Sequence, residues 1–200
     1  GESTVVAAAR AAEASRSRAL VPVKVVVDPG PLYTLRSIRA RDPRGNPFPE
    51  EVLPERFTRV GDDVPARSAT VLAREAKIVD RFRALGHPFA KAVSRDPVVD
   101  DEAHVMDVRF TIDPGPIAGL GEVAVRGTTG IDPAVVRSFI YSEPGDPYSP
   151  KAVADIRRSV AKVEALGSVR VREGEALDAQ GNLPIFVDVT ERDRNLIGVA

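Results

Sequence analysis

Asp101–Glu102–Ala103–His104 spells DEAH, the letters of a helicase motif. That chemistry needs a carboxylate holding magnesium beside a loop that cradles phosphates. No G-x-x-x-x-G-K-[ST] stands in the chain, so these four residues are expected to form a polar hairpin turn. Gly119, Gly121 and Ala124 make G-x-G-x-x-A, a dinucleotide fingerprint. Its function requires a strand before the glycines and, after them, a helix whose N-terminus meets pyrophosphate. Here the glycines fall within or at the start of a strand, where they permit a bend or close packing. His87 and His104 are the only histidines; neither has a second histidine at i+4, so zinc is unsupported and both read as solvated loop residues. Asp62–Asp63 and Asp100–Glu102 offer oxygens to calcium but lack EF-hand spacing, and capping or turn roles are expected instead. No nucleophile, base and orienting group can be assembled. The expectation is a non-enzymatic chain with no catalytic residue, cofactor or metal.

Composition narrows the partners. A net charge of −1 gives no reason to expect nucleic acid, and the lack of tryptophan with 5% aromatics argues against a base- or sugar-stacking platform. Cysteine is absent, which excludes disulfides and thiol chemistry. Hydrophobic residues at 43% with 28% charged residues predict a folded chain. No apolar run approaches the ~20 residues of a membrane helix. Val5–Ala9 is too short, and lacks the basic leader, for a signal peptide; if the protein is exported, its signal has been removed.

The elements that would position any site come as a repeat. "VDPGPLYTL" at 27–35 returns as "IDPGPIAGL" at 112–120, so that Asp28 and Asp113 stand 85 residues apart. After the second phrase, Ile117 to Arg126 reads as a strand. Asp132 with Pro133 caps and opens a short helix bearing Val135, Val136, Phe139 and Ile140; Ser149 with Pro150 opens a longer one. Val153, Ile156, Val160, Val163 and Leu166 give that longer helix a buried stripe, with Gly167 as its left-handed stop. Strands at Val169–Arg172 and Pro184–Thr190 follow. After the first phrase come a strand at Leu32–Ala40 and a short helix interrupted by Pro49 and Pro54. A long helix follows, striped by Leu72, Ala76, Val79, Phe82 and Leu85 and ended by Gly86. Strands at Phe89–Val93 and Val105–Ile112 close the unit, with 95–104 as their connection, although Val98 and Val99 can extend the first of them. Both units read β-α-α-β-β. The expected fold is α+β: a three-stranded mixed sheet per unit, two helices on one face, and Arg36, Arg39, Glu122 and Arg126 on the polar other face.

Residues 1–28 read as the helix and closing strand of a partial preceding unit. Leu20 almost touches Val23, where the complete unit leaves room for a further strand. A strand and its loop of the native chain are therefore expected to be missing between about Ala14 and Pro22. The expected divisions are 1–28, 29–113, 114–192 and a C-terminal linker at 193–200.

That tandem order, with "VVVDPGPLYTLRSI", "LGHPFAKAVSRDPVVDDEAHVMDVRFTIDPGP", "VRGTTGIDP" and "GDPYSPKAVADIR", resembles the POTRA (polypeptide-transport-associated) domains of bacterial outer-membrane assembly proteins, the BamA/TamA family, over nearly all of residues 21–200. "DVTERDRNLIGVA" is similar to the junction where such proteins enter their β-barrel. The resemblance implies a periplasmic fragment of an outer-membrane protein. It also implies unfolded outer-membrane or autotransporter client polypeptides, a TamB-like inner-membrane-anchored partner and a C-terminal β-barrel in cis. A BamA-like or two-partner-secretion chain, or a stiff spacer without direct client binding, stays open beside it.

Two site expectations follow. Asp28, Pro29, Gly30, Pro31 and Asp113, Pro114, Gly115, Pro116 are domain junctions, stiffer than a Gly/Ser linker. Two helices close one face of a sheet and no edge, so the strand holding Phe89, Lys91 and Val93 and the strand holding Val169, Arg170, Val171 and Arg172 are expected to bind extended polypeptide by strand addition.

Overall fold

The computed structural model describes residues 30–192. The partial first unit, the 14–22 discontinuity, Asp28, Pro29 and the 193–200 linker lie outside the described residues. Residues 33–192 belong to one compact unit that carries two sheets and two hydrophobic clusters. The first sheet holds β1 (Thr34–Arg41), β2 (Lys91–Asp100) and β3 (Val105–Asp113) in the order β1-β3-β2, with β1 parallel and β2 antiparallel to the central β3. The second repeats that plan with β4 (Gly119–Arg126), β5 (Leu166–Glu173) and β6 (Asn182–Glu191) in the order β4-β6-β5. The fold is α+β, with two three-stranded mixed sheets. No helix among the described residues is long and apolar enough to cross a membrane.

Alternation builds the second core. Leu183, Ile185, Val187 and Val189 of β6 all point inward. They meet Ile156 and Val160 of helix α3 (Pro150–Val160), Val136 of the short α2 (Pro133–Arg137) and Tyr148 between the two helices. The caps stand where the sequence puts them. Asp132 accepts the Ala134 N–H and Ser149 the Ala152 N–H, each with proline at the first helical position. The α3 helix, however, ends at Val160. Val163 and Leu166 are buried from beyond it, and Gly167 lies in β5 without the left-handed φ expected of a stop. The turn through Ala161–Ala165 keeps the two side chains on the apolar face that a longer helix would have used.

In the first half, helix α1 (Ser68–Ala84) buries Val71, Ile78 and Phe82, while Leu72, Ala76 and Leu85 are exposed. The stripe is rotated by about one residue from the expected phase. Gly86 at φ +98° ends the helix as predicted. The expected first helix is reduced to a 3₁₀ turn at Glu55–Phe57, since Pro49 and Pro54 remove donors from that stretch. One α-helix, with loop residues Phe48, Val52 and Leu53, therefore covers this sheet. Phe48 lies against Phe82 with ring centroids 4.7 Å apart. The first strands of both units begin later than predicted, at Thr34 and Gly119, leaving Leu32 87% and Ile117 70% exposed. The β2 strand continues through Val98 and Val99 to Asp100, so the turn shrinks to 101–104. His104 sits there with φ +52°, its ring edge-on to Tyr33.

Candidate partner-binding edge and the joint beside it

Each three-stranded sheet has two edges, and on one of each a loop bonds to part of the strand: both ends of β1 and the start of β4. Along β1, Leu35 N–H donates to Val64 O (2.7 Å) and Ala66 N–H to Tyr33 O (2.9 Å), with a further bridge from Arg41 to Pro47. Along β4, Leu120 N–H reaches Asp146 O (2.7 Å) and Gly145 N–H reaches Leu120 O (2.8 Å). Among the described residues no loop bonds in this way to the outer sides of β2 or β5.

The two open edges differ in what they offer. Gly174 N–H donates to Pro184 O at 2.8 Å, and the register runs back through Arg172↔Phe186 and Arg170↔Asp188. Bonded and non-bonded pairs alternate in an antiparallel ladder. Arg170 and Arg172 thus bond to β6, and the N–H and C=O of Val169, Val171 and Glu173 face outward. In β2, Pro97 stands opposite Val108 and has no N–H to donate, so its position is an outward one, with Arg95 and Val99. A proline in the middle of an edge removes the central donor and sets a ring in the way of an incoming strand. The β5 edge is therefore the one with an uninterrupted run of outward main-chain donors and acceptors.

The expected binding residues separate accordingly. Lys91 and Val93 are on β2, with Val93 at a bulge and 56% exposed. Phe89 precedes the strand, and its side chain packs on the second core, which corrects its assignment to the edge. Val169 and Val171 present backbone outward while their side chains rest on the second core; Arg170 and Arg172 project to the open face. Arg172 Nε donates to Asp188 at 2.5 Å and its guanidinium, with that of Arg126, lies over Phe186. That bond to Arg172 holds the Asp188 carboxyl below its usual range. On the first sheet's open face Arg36 and Ser37 bond Asp107, which brings the Asp107 pKa down to about 2.

At the junction, Gly115 and Gly30 share φ +66°, a value that favours glycine. Asp113 Oδ1 accepts the Gly115 N–H (3.0 Å), and His87 Nδ1 donates to Gly115 O (2.9 Å). His87 is thus a tie on the junction, not a solvated loop residue. Pro114 and Gly115 are half-buried, Pro31 and Pro116 exposed.

A cluster absent from the sequence reading lies beside β5. Arg83 Nη2 donates to Tyr148 Oη (2.8 Å) and to Glu173 Oε2 (2.6 Å), and the Tyr148 hydroxyl donates to Glu173 Oε1 (2.9 Å). Burial, with the neighbouring carboxylate against it, pushes the tyrosine up to about 12. These residues come from α1, the loop before α3, and β5; separations of 65 and 90 positions leave no periodic signal. Also unforeseen is Glu191, whose carboxylate accepts the N–H groups of Thr129 (2.6 Å), Gly130 (2.8 Å) and Ile131 (2.9 Å) and is held below its usual range by them. No group of three metal-ligating side chains is assembled among the described residues.

No protein-family model matches the chain, and no curated protein matches it. Solved structures do. The fold is similar to POTRA domains 3–5 of BamA from Haemophilus influenzae, with TM-score 0.62 and 16% identity over 80% of this chain. It is similar also to BamA from Haemophilus ducreyi lacking POTRA domains 1–3, with TM-score 0.64 and 16% identity over 80% of this chain. The chain spans 61% of the first structure's length and 30% of the second's. Both sheets and their helices thus have the POTRA-like fold.

Proposed function

We propose that this chain is the periplasmic POTRA region of an outer-membrane protein assembly or autotransporter-secretion factor, of the TamA kind. In this reading residues 29–113 and 114–192 are successive modules. They bind unfolded client or partner polypeptide, including a TamB-like partner, and orient a C-terminal β-barrel in cis. The task is binding rather than catalysis. Similarity of fold to BamA POTRA domains supports the class. The observation that carries strand addition is the asymmetry of edges: loops bond to both ends of β1 and to the start of β4, β2 is interrupted by Pro97, and β5 offers the main-chain groups of Val169, Val171 and Glu173 without interruption or loop partner among the described residues. Main-chain bonds read an extended conformation more than a sequence, which suits a binder of many unfolded clients.

The register supplies the test. Val171→Pro removes an outward donor and leaves the β5–β6 ladder intact; Arg172→Pro removes a ladder bond and serves as the unfolding control. An unfolded outer-membrane-protein segment should bind Val171→Pro at least about tenfold more weakly, one main-chain bond being lost and the pyrrolidine ring blocking approach. A photo-crosslinker at Arg170 should lose its polypeptide adducts in the same variant within intact envelopes. A folded Val171→Pro protein that keeps both binding and adducts would leave the spacer reading in place of strand addition.

A further inference from the structure

We infer that Arg83, Tyr148 and Glu173 form a lock that fixes the orientation of the two sheet-bearing halves, independently of any strand added at β5. The halves keep separate cores: Phe82, Phe110 and Ile112 belong to one cluster, and Leu120, Ile185 and Val187 to the other. Among the described hydrophobic residues, Phe89 is the first-half side chain set against the second cluster. The bonds from Ala118 N–H to Gly86 O and from His87 to Gly115 O hold the connecting segment to the first half, and Ala118 O accepts the Tyr148 N–H (3.2 Å), so the main chain just before β4 is tied on both sides. Arg83 adds a side-chain tie from α1 to the second sheet. From the last turn of α1 it spans to a tyrosine that is 1% exposed and to a carboxylate at the end of β5.

The three groups close a ring of bonds. Arg83 donates to both partners, Tyr148 accepts from one and donates to the other, and Glu173 uses both oxygens. The ion pair is about two-thirds buried, with side-chain exposures of 31% and 28%, so water screens it less than a surface pair. Loss of one charge strands the other in a site built for both. Glu173 is also the last outward-facing main-chain position of the β5 edge, so the side-chain contact to Arg83 falls at the end of that edge.

The chain has no cysteine, so Lys77→Cys on α1 and Lys162→Cys after α3, both exposed, give one unambiguous pair of spin labels. Electron–electron double resonance on the otherwise native chain should return a single narrow distance peak. Arg83→Met should lose that peak to a broad distribution, while NMR still shows dispersed signals from both halves. Tyr148→Phe, which keeps the ion pair, should broaden it less. The exchange Arg83→Glu with Glu173→Arg should recover narrowing that neither single change shows. If Arg83→Met fails to fold, Glu173→Gln decides, since it keeps the side-chain shape while removing the charge and replacing one of the two acceptor oxygens with a donor. A native-width peak in the deciding folded variant overturns the lock.

Discussion

Gly121→Ala should destabilise the second half far more than Gly119→Ala, although both glycines belong to the same G-x-G-x-x-A string. A Cβ at Gly121 would lie 2.8 Å from Leu183 C, 2.9 Å from Leu183 O and 2.9 Å from Pro184 N. Carbon atoms in good contact sit about 3.5–4.0 Å apart, so the intruding methyl overlaps three main-chain atoms of β6. The β6 strand is central and bonded on both sides, and cannot move aside without straining both ladders. Overpacking of this kind costs about 1–3 kcal/mol, and the rigid neighbours place it at the upper end. Alanine returns about 0.5–1 kcal/mol by restricting the unfolded chain, for a net loss of about 2 kcal/mol. At Gly119 the nearest atom, 2.5 Å away, is Asn182 Oδ1, a side-chain tip that can swing clear, and the next contacts are Gly145 O at 3.1 Å and Asp146 O at 3.2 Å. There the cost should nearly cancel the entropic gain, leaving a net change within about 1 kcal/mol. Urea unfolding followed by circular dichroism, with the second-half amide signals tracked by NMR, measures both changes. Equal stability of the two variants, or Gly119→Ala being the weaker, would refute the claim that close backbone approach at Gly121, where the β4–β6 register shifts between Leu120 and Val123, dictates glycine.

Folding lowers the Asp107 carboxyl from 3.8 to about 2 through its bonds to Arg36 and Ser37. Its contribution is therefore complete above the unfolded value and is lost as pH falls through the folded one. Acid titration of stability should show this limb in the native chain and lose it in Asp107→Asn. Glu191→Gln keeps an acceptor but removes the charge that holds three successive amides. Hydrogen exchange at Thr129, Gly130 and Ile131 should accelerate, with amides in the first sheet unchanged.

Much of the fold was legible because local chemistry and burial agree. Strict alternation marks β6, and Asp132–Pro133 and Ser149–Pro150 mark helix starts that the structure confirms with side-chain caps. Gly86 was readable as a stop for the same reason. Errors fell where neighbouring apolar residues compete for one face. Val71 and Leu72 are adjacent, and the sheet selects Val71. Val163 and Leu166 continue a helical spacing after the helix has ended, because a turn can bury the same side chains. The open edges followed from topology, but the obstruction at Pro97 needs the register, which the sequence does not carry. The lock was illegible for a simpler reason: Arg83 lies off its helix's apolar stripe, and Glu173 is 90 positions away.

The central position of β6 has a mechanical consequence. It runs parallel to β4, so tension applied between the start of β4 and the far end of β6 pulls the two neighbours lengthwise past each other. Every rung between Gly119↔Asn182 and Arg126↔Asp188 then bears load at once, instead of opening one after another like a zip. A domain strung this way resists extension along its own chain while remaining easy to peel from the β5 side, so a tug delivered through residue 192 is carried across the sheet before anything unravels.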